Sequence, residues 1–222
     1  MLLNEITENI KEILHETNYG IQLEIIQHHP KIPHTHSFSM IDYDTNKVVS
    51  NVEMAMIGQK TNGHSTLVWY IKYIETTRAL DYSGKGWATL LLLYAIITKK
   101  NETPDINYFT LDDASAMVDN EKHNIYDNIG FQYIYDDDRG LKRKLLVLDE
   151  SDKISISTFE TNAIQLTNKI RRRMGMSTIS RLMNRDAGKK TKDKRQKQKA
   201  NGKRQKTKYK KQKTKSKRQK KL

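Results

Sequence analysis

The chain has 222 residues, no cysteine and a formal net charge of +14. The absence of cysteine excludes disulfides, thiolate catalysis and cysteine-ligated zinc, and the length allows one good-sized domain with an appendage. The charge is uneven: residues 187–222 hold 19 Lys or Arg and one acid, Asp193, whereas residues 1–186 hold 21 basic and 25 acidic side chains. A mildly acidic body therefore carries a polycationic tail, which calls for an anionic partner, nucleic acid before a membrane surface.

In chain order, Ile6, Ile10, Ile13 and Leu14 predict an amphipathic helix over residues 4–17, ended by Tyr19-Gly20. Residues 21–27 read as a strand with Ile21, Leu23 and Ile25 on one face, broken by His28-His29-Pro30. Residues 37–43 and 47–57 are β-rich and joined by Asp44-Thr45-Asn46, a hairpin signal; residues 58–63 read as a polar turn. The longest β-type run follows at residues 66–75. A Gly-bearing stretch, residues 80–88, leads into an apolar helix over residues 88–100. Residues 105–111 are another strand, residues 113–129 are polar with helical features, and residues 131–135 and 141–148 form a last strand pair.

The order helix, four strands, helix, strand, helix, two strands predicts an α+β fold: a mixed, mostly antiparallel sheet flanked by helices. Residues 1–150 make up that domain. Residues 151–186 read as a linker with short helices, and residues 187–222, almost without apolar side chains, as a disordered polybasic tail. No apolar run reaches the roughly 20 residues needed to cross a bilayer, and the N-terminus does not read as a signal peptide, so an intracellular protein with no membrane partner is expected.

The chemistry-bearing stretch is Asp81-Tyr82-Ser83-Gly84-Lys85-Gly86-Trp87-Ala88, between the longest strand and the apolar helix. A Gly-rich turn there exposes backbone N–H groups at a helix N-terminus, where the dipole favours negative charge. Gly84 and Gly86 let a phosphate approach the backbone. A P-loop needs Lys-Ser/Thr after its last glycine, and Trp87 stands there instead; a third dinucleotide-motif glycine is missing too. What remains is a phosphate cradle or a plain connector.

This turn, with the Leu-rich helix after it, resembles the acetyl-CoA-binding motif of the GNAT superfamily of N-acetyltransferases. The superfamily's second, aromatic signature is similar to Ile125-Tyr126-Asp127-Asn128-Ile129-Gly130-Phe131. The resemblance covers residues 21–148. It implies an acetyl-CoA-dependent N-acetyltransferase acting on a primary amine of a protein, polyamine or small molecule. It implies that the cofactor enters between two splayed parallel strands, residues 66–75 and 105–111. Backbone groups at Ile74 and Thr76 would then face the pantetheine arm, and Ser83, Gly84, Lys85, Gly86, Trp87 and Ala88 the pyrophosphate. Tyr126 takes the place of the acid that protonates the leaving thiolate, which suits a phenol of pKa near 10. For a base, Glu75 is the first candidate, with Asp112, Asp113 and His123 behind it.

The chain departs from the motif at Asp81, where the superfamily has Gln or Arg, and at Ser83, where Arg is frequent. The run from Leu111 to Ser115 and His123 to Tyr126 also resembles GNAT-like proteins of large DNA viruses of eukaryotes, which implies a host nucleus, a viral factory or the virion as the compartment. His28, His29, His34 and His36 match no zinc spacing and read as a polar loop rather than a metal site. The tail supports two roles, non-specific binding of DNA or RNA and nuclear targeting. The alternative to an enzyme is a nucleic-acid-binding protein with a catalytically degenerate GNAT-like domain.

Overall fold

The computed structural model describes residues 2–15, 22–28, 34–61, 64–77, 84–113, 124–137, 140–149 and 151–178. The chain divides into two units, Met1–Thr178 and Ile179–Leu222, and every described residue lies in the first. The tail, with Asp81, Ser83, His29 and His123, falls outside the described residues.

The elements run α1 (Leu2–His15), β1 (Leu23–His28), β2 (Thr35–Asp42), β3 (Lys47–Thr61), β4 (His64–Thr76), α2 (Trp87–Glu102), β5 (Tyr108–Asp113), α3 (Ile125–Ile129), β6 (Gln132–Asp136), β7 (Lys142–Val147) and α4 (Lys153–Arg173). The strands form one sheet in the order β1-β2-β3-β4-β5-β7-β6. All neighbours are antiparallel except β4 and β5. The fold is thus the expected α+β arrangement, with a further helix at its end.

The central helix α2 is buried nearly all round, from Trp87 through Leu90, Leu91, Leu92, Leu93, Ala95, Ile96 and Ile97. That pattern follows from its position: β2, β3 and β4 lie against it, and so do α1 and α4. Sheet residues of one parity meet it, including Phe38, Met40, Val52, Met54, Trp69 and Ile71, while the alternate parity faces away. Among the described residues no helix is long and apolar enough to cross a membrane.

Two expectations are corrected. Residues 58–63 are not a polar turn, because Gly58, Gln59, Lys60 and Thr61 continue β3 and pair with Leu67, Thr66, Ser65 and His64 of β4. Only residues 62–63 remain between the strands. Within residues 151–178 there is one long helix in place of short ones: α4 is a single 21-residue helix, N-capped by Asp152, whose side chain accepts from the N–H groups of Ile154 and Ser155. Phe159, Ala163, Thr167, Ile170, Arg171 and Met174 are buried at helical spacing. Arg171 donates to both carboxylate oxygens of Glu12 on α1, at 2.8 and 3.1 Å, a bidentate pair that ties the two helices together.

Candidate active site

The parallel pair β4–β5 is joined only at Trp69–Phe109, Tyr70–Thr110 and Ile71–Leu111. Past that point β4 runs on to Thr76 beside β3, and β5 runs on to Asp113 beside β7, with no pairing between them. The separation begins at a β-bulge. Glu53 pairs with Tyr73 and Met54 with Ile71, which leaves Lys72 as the extra residue. The bulge also shifts the side-chain phase, so Trp69 and Ile71 face the core before it and Ile74 after it.

Thr77 N–H donates to Val49 C=O at 2.9 Å. Antiparallel pairs alternate between bonded and non-bonded, so Glu75–Asn51 and Tyr73–Glu53 are the next bonded pairs. The N–H and C=O groups of Ile74 and Thr76 therefore point away from β3, into the wedge that β5 leaves open. Those are the residues the resemblance implied for the pantetheine arm.

The glycine turn leads into α2. Gly84 has φ 71° and Gly86 φ 96°, both in the left-handed region that favours glycine. Gly86 is the N-cap of α2, and no side chain among the described residues caps the first turn. The only intrahelical bond of Gly86 is the one its carbonyl accepts from Leu90 N–H at 3.1 Å. A Cβ on Gly86 would stand 2.9 Å from Ile170 Cδ1 of α4, whereas at Gly84 it would meet nothing within 4 Å among the described residues. The first glycine is thus open to a ligand and the second is backed by the protein. Trp87 is buried, and its Nε1 has no hydrogen-bond partner among the described residues. An uncapped helix start fits a phosphorylated ligand.

Tyr126 lies in α3, whose N-cap is Asn124. The Asn124 side chain accepts from Tyr126 N–H at 2.9 Å and Asp127 N–H at 3.4 Å. Its Nδ2 donates to Asp113 Oδ2 at 2.5 Å. Lys144 on β7 is buried and bridges Asp113 at 2.7 Å and Asp127 at 2.6 Å. One polar cluster thus joins the end of β5 to the start of α3. The Tyr126 ring is half-buried and packs edge-on to Phe131 at 6.1 Å, and its hydroxyl makes no hydrogen bond among the described residues. Burial first, and the Asp113 carboxylate second, push the Tyr126 phenol up to about 12. It is therefore protonated throughout the neutral range. Gly130, φ 119°, ends α3 and turns the chain into β6.

The structure narrows the set of bases. Asp112 accepts from the Tyr70 hydroxyl at 2.9 Å and pairs with Arg143, and Asp113 is bound to Lys144 and Asn124. Both carboxylates hold structure together. Glu75 is exposed on the sheet face opposite α2, and its carbonyl accepts from Ser50 Oγ at 2.8 Å. Glu75 and Tyr126 share no hydrogen bond and stand on different sides of the sheet. Of the histidines, His28 bonds Ser39 Oγ at 2.7 Å and His36 bonds Lys99 Nζ at 3.0 Å. Asn124 and Lys144 escaped the sequence reading. Asn124 alone left a signal there, as a residue with N-cap preference just before a helical stretch.

No family model and no curated protein sequence matches the chain. Similar solved structures include a mutant AtaT toxin bound to the C-terminus of the antitoxin AtaR and acetyl-CoA, at 10% identity and TM-score 0.42, covering 51% of this chain and 68% of that one. The NatC complex bound to Gag peptide and CoA gives 17% identity and TM-score 0.38, covering 51% and 71%. The GNAT domain of S. lividans PAT gives 13% and 0.38, covering 54% and 64%. At these identities, function has to be read from the site's own residues.

Proposed function

We propose that this chain is an acetyl-CoA-dependent N-acetyltransferase. The observation that carries the reading is the wedge between β4 and β5, bordered by backbone groups of Ile74 and Thr76 that β3 does not use. Both GNAT-like motifs fall on the elements the resemblance requires, one starting α2 and the other forming α3. The cofactor, when bound, supplies an acetyl group activated as a thioester. The chain's own residues then divide the work. Ile74 and Thr76 offer alternating donors and acceptors to an amide-bearing arm. The amides of Gly84, Lys85, Gly86, Trp87 and Ala88 offer a cradle of positive dipole to phosphates. Tyr126 holds a proton on its hydroxyl at neutral pH, ready for a leaving sulfur. The acceptor is a primary amine of a protein, polyamine or small molecule.

Calorimetry with acetyl-CoA tests the reading. Gly84→Asp is the informative variant, because aspartate tolerates the left-handed region and nothing stands within 4 Å of its Cβ. It should weaken binding by about 100-fold through charge repulsion at the phosphates, while Gly84→Asn, of the same shape, should retain most affinity. Equal affinities for both variants and the unmodified protein would remove the turn from the site.

For the tail, the charge asymmetry supports non-specific binding of DNA or RNA, with 19 cationic side chains and only one aromatic, Tyr209, in residues 187–222. If about ten phosphates are engaged on duplex DNA, log affinity should fall with log salt at a slope near −9. A chain ending at residue 186 that keeps that affinity would leave the tail a targeting signal only.

A further inference from the structure

We propose that the last turn of α4 belongs to the cofactor site and that Arg173 is a phosphate-binding residue. The inference rests on the acetyl-CoA reading above and adds a residue outside the stretch that resembles the superfamily. Three consecutive arginines end α4, and the structure gives each a different setting. Arg171 is buried and locked to Glu12, with its Nε donating to Ser177 C=O at 2.7 Å. Arg172 folds back along its own helix, its Nε 3.3 Å from Asn168 C=O. Arg173 is exposed and reaches out of the helix to the glycine turn, with Nη1 3.5 Å from Gly84 C=O.

Two further observations place α4 at the turn. Ile170 occupies the space a Cβ of Gly86 would need, so α4 is the surface against which the turn is moulded. Arg171 fixes α4 to α1, so the helix end is held in place. A helix C-terminus carries partial negative charge, which would repel phosphates brought to this turn. A guanidinium there reverses the sign, and its planar fork suits phosphate oxygens. The same need shows in the sequence, where Asp81 stands in place of the Gln or Arg of the resembled motif. Arg173 supplies from α4 the charge that the motif lacks.

The test compares two ligands on the full chain: acetyl-CoA, and S-acetylpantetheine, which has the same thioester and arm but no phosphates. Calorimetry of Arg173→Gln should show acetyl-CoA binding weakened about 10-fold or more, the scale of a charge-assisted hydrogen bond to phosphate. S-acetylpantetheine affinity should stay within about twofold, since only phosphates are addressed. Arg173→Lys should recover part of the loss. Thermal melting of Arg173→Gln should match the unmodified protein, because the side chain is exposed. Undiminished acetyl-CoA affinity would overturn the proposal, and an equal loss for both ligands would reduce α4 to a shaping role and overturn it too. If the unmodified protein bound neither ligand, the acetyltransferase reading itself would fall.

Discussion

The two ends of α2 are built on opposite rules. At its C-terminal end every charge is answered from within the protein. Lys99 is fully buried, yet its Nζ meets His36 Nδ1 at 3.0 Å and Glu102 at 2.5 Å, and lies over the rings of Phe38 and Trp69. Lys100 Nζ donates to Pro104 C=O and Asn107 Oδ1, and Trp69 Nε1 donates to Thr103 Oγ1. At the N-terminal end, among the described residues, no side chain caps the helix, two glycines take positive φ, and Trp87 Nε1 is buried without a partner. Buried polar groups cost stability unless they are matched. An end that is matched internally serves the fold, and the end left uncapped by the described side chains is the one we propose for the cofactor.

The comparison breaks most visibly at Lys99. Lys99→Ala removes a buried cation and the contacts of its stem, and should cost about 2–3 kcal/mol in chemical denaturation. Acetyl-CoA affinity of the folded variant should be unchanged. An affinity loss as large as the stability loss would mean that the two ends are not separable.

Tyr126→Phe comes next. Turnover should fall by about 100-fold, with cofactor affinity and neutral-pH stability intact. The same variant has a signature at high pH. The phenol is raised to about 12 in the folded chain, against roughly 10 when unfolded. Its contribution is therefore fully present below pH 10 and is lost as pH rises towards 12, because only the unfolded state has released the proton. Stability measured between pH 10 and 12 should fall more steeply in the unmodified protein than in the Phe variant. Identical slopes, with undiminished turnover, would make Tyr126 a packing residue beside Phe131.

Glu12→Gln should have the smallest effect. The Arg171 side chain hydrogen-bonds Glu12 and lowers its pKa below 4.5. The pair's contribution is present above the ordinary carboxylate range and is lost as pH falls through the lowered value. Glu12 is 42% exposed, so solvent screening limits the contribution to about 0.5–1 kcal/mol at neutral pH. Denaturation curves at pH 7 and pH 3 should differ less in the Gln variant. If the pair also steadies the glycine turn through α4, acetyl-CoA affinity should slip by roughly twofold, far less than the charge loss at Arg173 produces.

The glycine turn and α2 were legible in the sequence because backbone conformation and full burial leave compositional marks: two glycines, then an unbroken run of apolar residues. The wedge left a fainter trace. Trp69 and Ile71 face the core at odd positions and Ile74 at an even one, a change of phase at the bulge that Val68 and Tyr70, at even positions, mask in the sequence. The hairpin between β3 and β4 was misread because Gly58, Gln59 and Lys60 look polar, although Asn62-Gly63 is a strong two-residue turn signal. α4 was obscured because its buried stripe includes Thr167, whose hydroxyl donates to Ala163 C=O within the helix, and Arg171, whose charge is answered by Glu12 on α1, a tertiary contact that no local window contains. The Asp113–Asn124–Lys144 cluster is of the same kind. Its members come from β5, α3 and β7, and nothing periodic links them, so the expectation that Asp112 or Asp113 acts as a base had no local check.

The Glu12–Arg171 pair joins positions 159 residues apart. Closing a loop of that length costs on the order of 4–5 kcal/mol in chain entropy, which the rest of the packing of α4 has to offset. A local opening of α4 is the motion that would reach the glycine turn. Opening it would withdraw Ile170 from Gly86 while the sheet stays paired. Amide hydrogen exchange should therefore find α4 exchanging ahead of α2, and a ligand seated on the glycine turn should slow α4 more than any strand. The grip on the cofactor would then be set by how often one terminal helix lifts, and not by how stable the domain is as a whole.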